Sequence, residues 1–175
     1  MSVERELGLI QPEDVEHELE QRHRDAMLEV ILSWASLEGA LGMMLARIVG
    51  ITPVQAAELV EKMPAAARFV EMRRIMLEST APHALEAAQK LKKHKKSYEA
   101  LAPVRNMIAH SHCVGYWRPH PDFVVFMTFK KVGPDALAVD GLNVHAMNHA
   151  TRWARAMRQL AQEISDVPYA HEVEK

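Results

Sequence analysis

One cysteine, Cys113, in a chain of 175 residues excludes an internal disulfide and suits a reducing compartment. Aromatic residues are scarce at 6%. Alanine, leucine and methionine outweigh valine, isoleucine and the aromatics, a balance that favours helix over sheet. Neither sign of charge prevails. With a formal net charge of −2, no overall field draws the chain to nucleic acid, and such a role must rest on local patches. The N-terminus has no basic start leading into an apolar run, so no secretory signal is expected. The most apolar stretch, Gly39 to Ile51, is too short to span a bilayer and is interrupted by Arg47. No glycine-rich phosphate loop, nucleophile elbow or paired-carboxylate pattern for hydrolysis is present. The expectation is a cytoplasmic protein with no membrane role and no cofactor.

Apolar residues make up 49% and charged residues 25%, a soluble globular balance rather than a disordered one. The length allows one domain with a real core. Residues 1–11 read as a flexible leader, 12–167 as a single domain and 168–175 as a tail. Acids at Glu13, Asp14, Glu16 and Glu18 suit a helix N-terminus. From there Met27, Val30, Ile31, Trp34, Leu37, Leu41, Leu45 and Ile48 recur at three- and four-residue steps, predicting a long amphipathic helix that ends near Gly50. Thr52-Pro53 reads as an N-cap and first helical residue of a short helix to about Met63. Pro64 starts another, through Phe69, Met72, Ile75 and Met76. A fourth begins near Pro82 and carries Leu85, Leu91, Tyr98, Leu101, Val104 and Ile108, with Pro103 expected to kink or restart it.

Beyond His110 the period changes. His112 to Trp117 and Phe123 to Lys131 read as a hairpin, about 112–131, joined by the proline-rich turn Arg118 to Asp122. A short third strand is possible at Ala136 to Val139. A last helix begins near Asn143, with Met147, Ala150, Ala154, Met157, Ala161 and Ile164 on one side. The segment Phe123 to Phe129 is apolar on both faces, which fits cover by helices on one side and a partner chain on the other.

The densest chemistry lies in Arg105-Asn106-Met107-Ile108-Ala109-His110, which puts a guanidinium, an amide and an imidazole at the end of an otherwise apolar helix. Arg105 falls four residues after Leu101 and three before Ile108, so it should face inward. Glu38, four after Trp34 and three before Leu41, should also lie on an apolar stripe. Unpaired buried charges are expensive, so the economical expectation is a Glu38–Arg105 pair. On a structural reading that pair, an Asn106 hydrogen bond and a helix-terminal His110 favoured by the dipole are the whole account. A chemical reading uses the same residues: histidine can move a proton near neutral pH, and arginine can bind a phosphate gathering negative charge. Five positions along an unbroken helix turn a side chain by about 140°. Arg105 and His110 therefore converge on one small target only if the helix ends between them.

This Arg-Asn-x-x-Ala-His segment, with four residues between arginine and histidine, resembles the signature of the HEPN superfamily. Trp34-Ala35-Ser36-Leu37-Glu38 looks like the first helix of stand-alone bacterial members. The resemblance covers roughly residues 13–111 and the final helix. It implies a mainly α fold: a HEPN-like up-and-down helical bundle with a β-hairpin inserted before the C-terminal helix. It also implies a homodimer that brings two copies of Arg105, Asn106 and His110 to a shared cleft. The activity so implied is a metal-independent endoribonuclease or an RNA- or nucleotide-binding component of a bacterial toxin–antitoxin or defence system, with an antitoxin-like protein as a possible partner. His110 would be the general acid/base, Arg105 the phosphate-side cation, Asn106 the orienting amide and Glu38 the support. The alternative is a non-catalytic homodimeric interaction module in which the motif is structural.

Other candidates are read more blandly. Lys90, Lys92, Lys93, Lys95 and Lys96 form one basic run. It can attract RNA phosphates, but it fans around a helix without interleaved aromatics and reads first as a solvated face. His110-Ser111-His112-Cys113 and the His145/His149 pair lack a third ligand, so no metal site is expected. Trp34, Trp117 and Trp153 are assigned to packing.

Overall fold

The computed structural model describes residue 10 and residues 12–63, 68–81, 83–131 and 137–166. They are mainly helical, with a small antiparallel sheet. A 3-10 turn at Pro12–Asp14 leads into strand β1 (Val15–Glu16), then helices α1 (Gln21–Val49), α2 (Pro53–Lys62), α3 (Arg68–Glu78) and α4 (Ala84–His110). Strands β2 (His112–Trp117), β3 (Phe123–Lys131) and β4 (Leu137–Asn143) precede the last helix, α5 (Val144–Ser165). The leader apart from residue 10, the Pro64 start and the tail from Pro168 lie outside the described residues. The chain divides into two compact units. One gathers the described residues up to Ser33 with Pro103–Arg152; the other gathers Trp34–Ala102 with those from Trp153 onward.

The helix ends follow local chemistry. Thr52 and Gln55 form a reciprocal capping box: the Gln55 N–H donates to Thr52 Oγ1 at 3.2 Å, and the Thr52 N–H donates to Gln55 Oε1 at 2.9 Å. Pro53 occupies the first helical position, as expected. Gly50, at φ +73°, ends α1, and the Ile51 N–H returns to the Ala46 carbonyl at 3.0 Å. That six-to-one bond is a Schellman closure, which needs the left-handed conformation glycine adopts without strain.

The start of α1 departs from expectation. The acids at 13–18 do not open a helix; the chain there forms the 3-10 turn and β1, and α1 begins at Gln21. The cap is supplied instead by His23, which is fully buried. The Glu20 N–H donates to His23 Nδ1 at 3.2 Å, the backward reach that a capping-box glutamate normally makes. His23 Nε2 donates to the Pro121 carbonyl at 2.7 Å, and Arg22 bonds Asp122 at 2.6 Å. The turn of the β2–β3 hairpin is thereby tied to the first turn of α1. Replacing His23 by alanine removes both bonds and leaves a buried void. The expected loss is about 2–4 kcal/mol of unfolding free energy, measured by urea titration; a change within experimental error would show the tie to be dispensable.

In the first unit the strands run in the order β1-β2-β3-β4, all antiparallel. The third strand expected at Ala136 to Val139 is β4, which runs on to Asn143. Val124, Val125 and Phe126 are at most 1% exposed, so both faces of β3 are closed there by the chain itself, without the expected partner. Asn143 caps α5 by accepting from the His145 N–H at 2.7 Å.

In the second unit Trp34 stands 5.6 Å from both Tyr98 and Trp153, and Phe69 stacks on Tyr98 at 5.0 Å. The predicted stripe of α1 is buried at Val30, Trp34, Leu37, Leu41, Leu45 and Ile48, and that of α5 at every predicted position. On α4, Leu91, Tyr98 and Leu101 are buried, Val104 and Ile108 half-buried, and Leu85 is 60% exposed. By length and composition α1 is apolar enough to cross a membrane, which the shorter Gly39 to Ile51 window did not indicate. Its buried stripe is also what a core helix requires. Two glycines, Gly39 and Gly42, sit inside it with room for a Cβ at each. Gly39→Ala and Gly42→Ala are each expected to raise stability by about 0.5–1 kcal/mol, seen as a higher urea midpoint; a lower midpoint would mean the space is needed for folding.

Candidate functional site

Arg105, Asn106 and His110 lie in the first unit, on the last two turns of α4. Pro103 sits inside that helix without breaking it. The expected restart before Arg105 is absent: the helix runs on through Pro103, with Leu101 and Ala102 buried before it and residues 104–108 half-buried after it. The helix ends at His110 itself, and the Ser111 N–H closes it by donating to the Met107 carbonyl at 3.0 Å.

Arg105 and Asn106 are half-buried, whereas His110 is exposed. Arg105 Nη1 donates to Asn106 Oδ1 at 3.1 Å, so the amide orients the guanidinium. Asn106 and His110, four residues apart, share a face of the helix. Arg105 is turned about 140° from His110, because no helix end intervenes. The three side chains are thus local neighbours without converging on one point inside a single chain.

Glu38 belongs to the other unit. There its carboxylate pairs with Arg68 at 3.0 Å, the side chains being 24% and 16% exposed. Glu38 is half-buried, and its spacing in the sequence carries no signal for Arg68, which lies on a different helix. Arg68 Nε is buried without a hydrogen-bond partner.

The basic run divides by partner. Lys90 Nζ is 2.8 Å from Glu86, and Lys95 is 3.5 Å from Glu99; the Lys90 ammonium holds the Glu86 carboxyl below the usual carboxylate range. Lys92, Lys93 and Lys96 are exposed. They are surface residues of α4. His145 and His149 are likewise exposed on α5, and among the described residues no group of three histidine, cysteine, aspartate or glutamate side chains is placed to hold a metal. Cys113 is half-buried, and that burial pushes its thiol above the ordinary cysteine value.

Gly115 is a further residue with a structural role, in β2. It lies at φ +147°, next to a bulge where Cys113 pairs with Phe126 and Gly115 with Val125. A glycine inside a strand-like run was the available signal.

Compared with protein-family models, curated proteins and solved structures, the chain finds no match in any of the three.

Proposed function

We propose that the protein acts on RNA, as a metal-independent endoribonuclease or an RNA- or nucleotide-binding component of a bacterial toxin–antitoxin or defence system. The observation that carries this reading is a guanidinium held by its neighbouring amide, with an exposed imidazole at the end of the same helix. In RNA the 2′-hydroxyl is an internal nucleophile beside the scissile phosphate. An exposed His110 takes the proton from that hydroxyl and returns one to the leaving 5′-oxygen. Arg105 brings its guanidinium to the phosphoryl oxygens as negative charge collects there.

The divergence of Arg105 and His110 along one helix gives the second chain its purpose. In the HEPN-like bundle proposed here, two protomers pair across the end of α4. His110 of one and Arg105 of the other then face a single phosphate across a two-fold axis. The protein is on this reading a cytoplasmic homodimer, with an antitoxin-like protein as its regulatory partner. The same divergence also favours the alternative, a non-catalytic homodimeric module in which the motif holds the chain together.

The test is incubation of the full-length protein with total RNA in EDTA, analysed on a denaturing gel, alongside its mass in solution. Cleavage by a dimer is the expected result. A monomer that neither cleaves nor retains RNA would overturn the proposal.

A further inference from the structure

Independently of the RNA reading, we infer that the second unit carries a binding cleft for a small organic cation with an apolar body. The cleft lies where the second half of α1, helix α2 and the start of α3 come together, and has a volume of about 550 Å³. That size suits a small-molecule site.

Its floor is made by Gly39 and Gly42, one helical turn apart on α1. Neither has the positive φ that calls for glycine. Among the described residues, a Cβ built on either meets nothing within 4 Å, so none of them demands glycine for closeness. Glycine in a helix interior is unfavourable relative to alanine. Among the described residues, neither backbone conformation nor packing accounts for this helical penalty. What the two glycines provide is open space in front of α1.

The chemistry of the walls narrows the occupant. Met43, Pro53, Ala57 and Val60 supply apolar surface, and Met43 is 54% exposed. Three charged side chains line the same space: Glu38, Arg68 and Glu61. Arg68 is bonded to Glu38 at 3.0 Å, which leaves the Glu61 carboxylate as the excess charge of the lining. An anionic ligand would face two carboxylates against one guanidinium already engaged by one of them. A neutral apolar ligand would leave Glu61 unused. A primary ammonium on an aryl or alkyl body satisfies both the walls and the carboxylate.

The experiment uses full-length protein labelled at its methionine methyls and three probes of one shape: phenethylammonium chloride, 2-phenylethanol and sodium 3-phenylpropionate. Saturable movement of the Met43 resonance with the ammonium is expected, with at least about threefold weaker binding of the alcohol and none of the carboxylate. Glu61→Gln should bring the ammonium down to the affinity of the alcohol. Gly42→Leu, which fills the cleft, should abolish binding while the unfolding midpoint holds or rises, showing that the fold is intact. The inference is overturned if Met43 does not respond, if all three probes bind alike, or if Gly42→Leu binds the ammonium as well as the wild type. None of these results depends on RNA cleavage, so this site and the Arg105–His110 reading fail separately.

Discussion

His110→Ala is expected to lower RNA cleavage by at least about 100-fold while leaving the folded state nearly unchanged. A positioned general acid–base group contributes on the order of 10²–10⁴ in rate, and alanine cannot move a proton at that position. His110 is exposed at the last position of α4, so its loss forfeits little packing. A surface change of this kind usually lies within about 0.5 kcal/mol, apart from a small contribution of a cationic side chain at a helix C-terminus. Rate and thermal midpoint therefore separate the two readings. Loss of cleavage at constant stability supports the nuclease. A lower midpoint with no cleavage to lose supports the structural module, and cleavage undiminished by the substitution removes His110 from the chemistry. Arg105→Lys sharpens the comparison: lysine keeps the charge but not the planar fork that both meets Asn106 Oδ1 and offers paired donors to a phosphate.

The largest expected effect on folding comes from Gly115→Ala. A methyl group there would overlap the Glu16 carbonyl oxygen and lie 2.8 Å from the Glu16 carbonyl carbon and 3.0 Å from His17 Cα. These are backbone atoms, which cannot swing aside as a side-chain tip would. β1 would have to retreat, breaking the pairings of Val15 with Trp117 and Glu16 with Tyr116. The His17 Nδ1–H to Val114 carbonyl bond of 2.9 Å would go with them. The φ of +147° adds strain for any residue with a Cβ. Together, overpacking and backbone strain are expected to cost about 2–5 kcal/mol. Urea titration measures the loss, and hydrogen exchange at the β1 amides should show protection falling there before it falls in α5. Unchanged protection at Val15 and Glu16 would mean that the sheet accommodates the methyl group.

Much of the helical architecture was legible because its causes are local. The steps between Trp34, Leu37, Leu41, Leu45 and Ile48 match the helical period, and all five side chains are buried. The same holds for Met147 through Ile164 on α5. Thr52-Pro53 announced a cap whose partner, Gln55, is three residues away. Pro103 misled because its missing donor is a local penalty, whereas α4 is anchored by the side chains buried ahead of it, from Ala84 to Ala102. Leu85 misled because an apolar residue at a helix start need not join the core.

Residue order along the chain determined the helix periods, the caps, the change to strand chemistry after His110, and the grouping of Arg105, Asn106 and His110 on one segment. Tertiary structure alone decided that Glu38 meets Arg68, that His23 joins the α1 cap to the Pro121 carbonyl 98 positions away, and that Gly115 admits Glu16 against its bare Cα. The physical reason is range. Backbone hydrogen bonding and side-chain periodicity act over a few residues and leave a repeating trace in the sequence. A pairing across distant segments depends on where packing brings them, and no spacing between two residues encodes that.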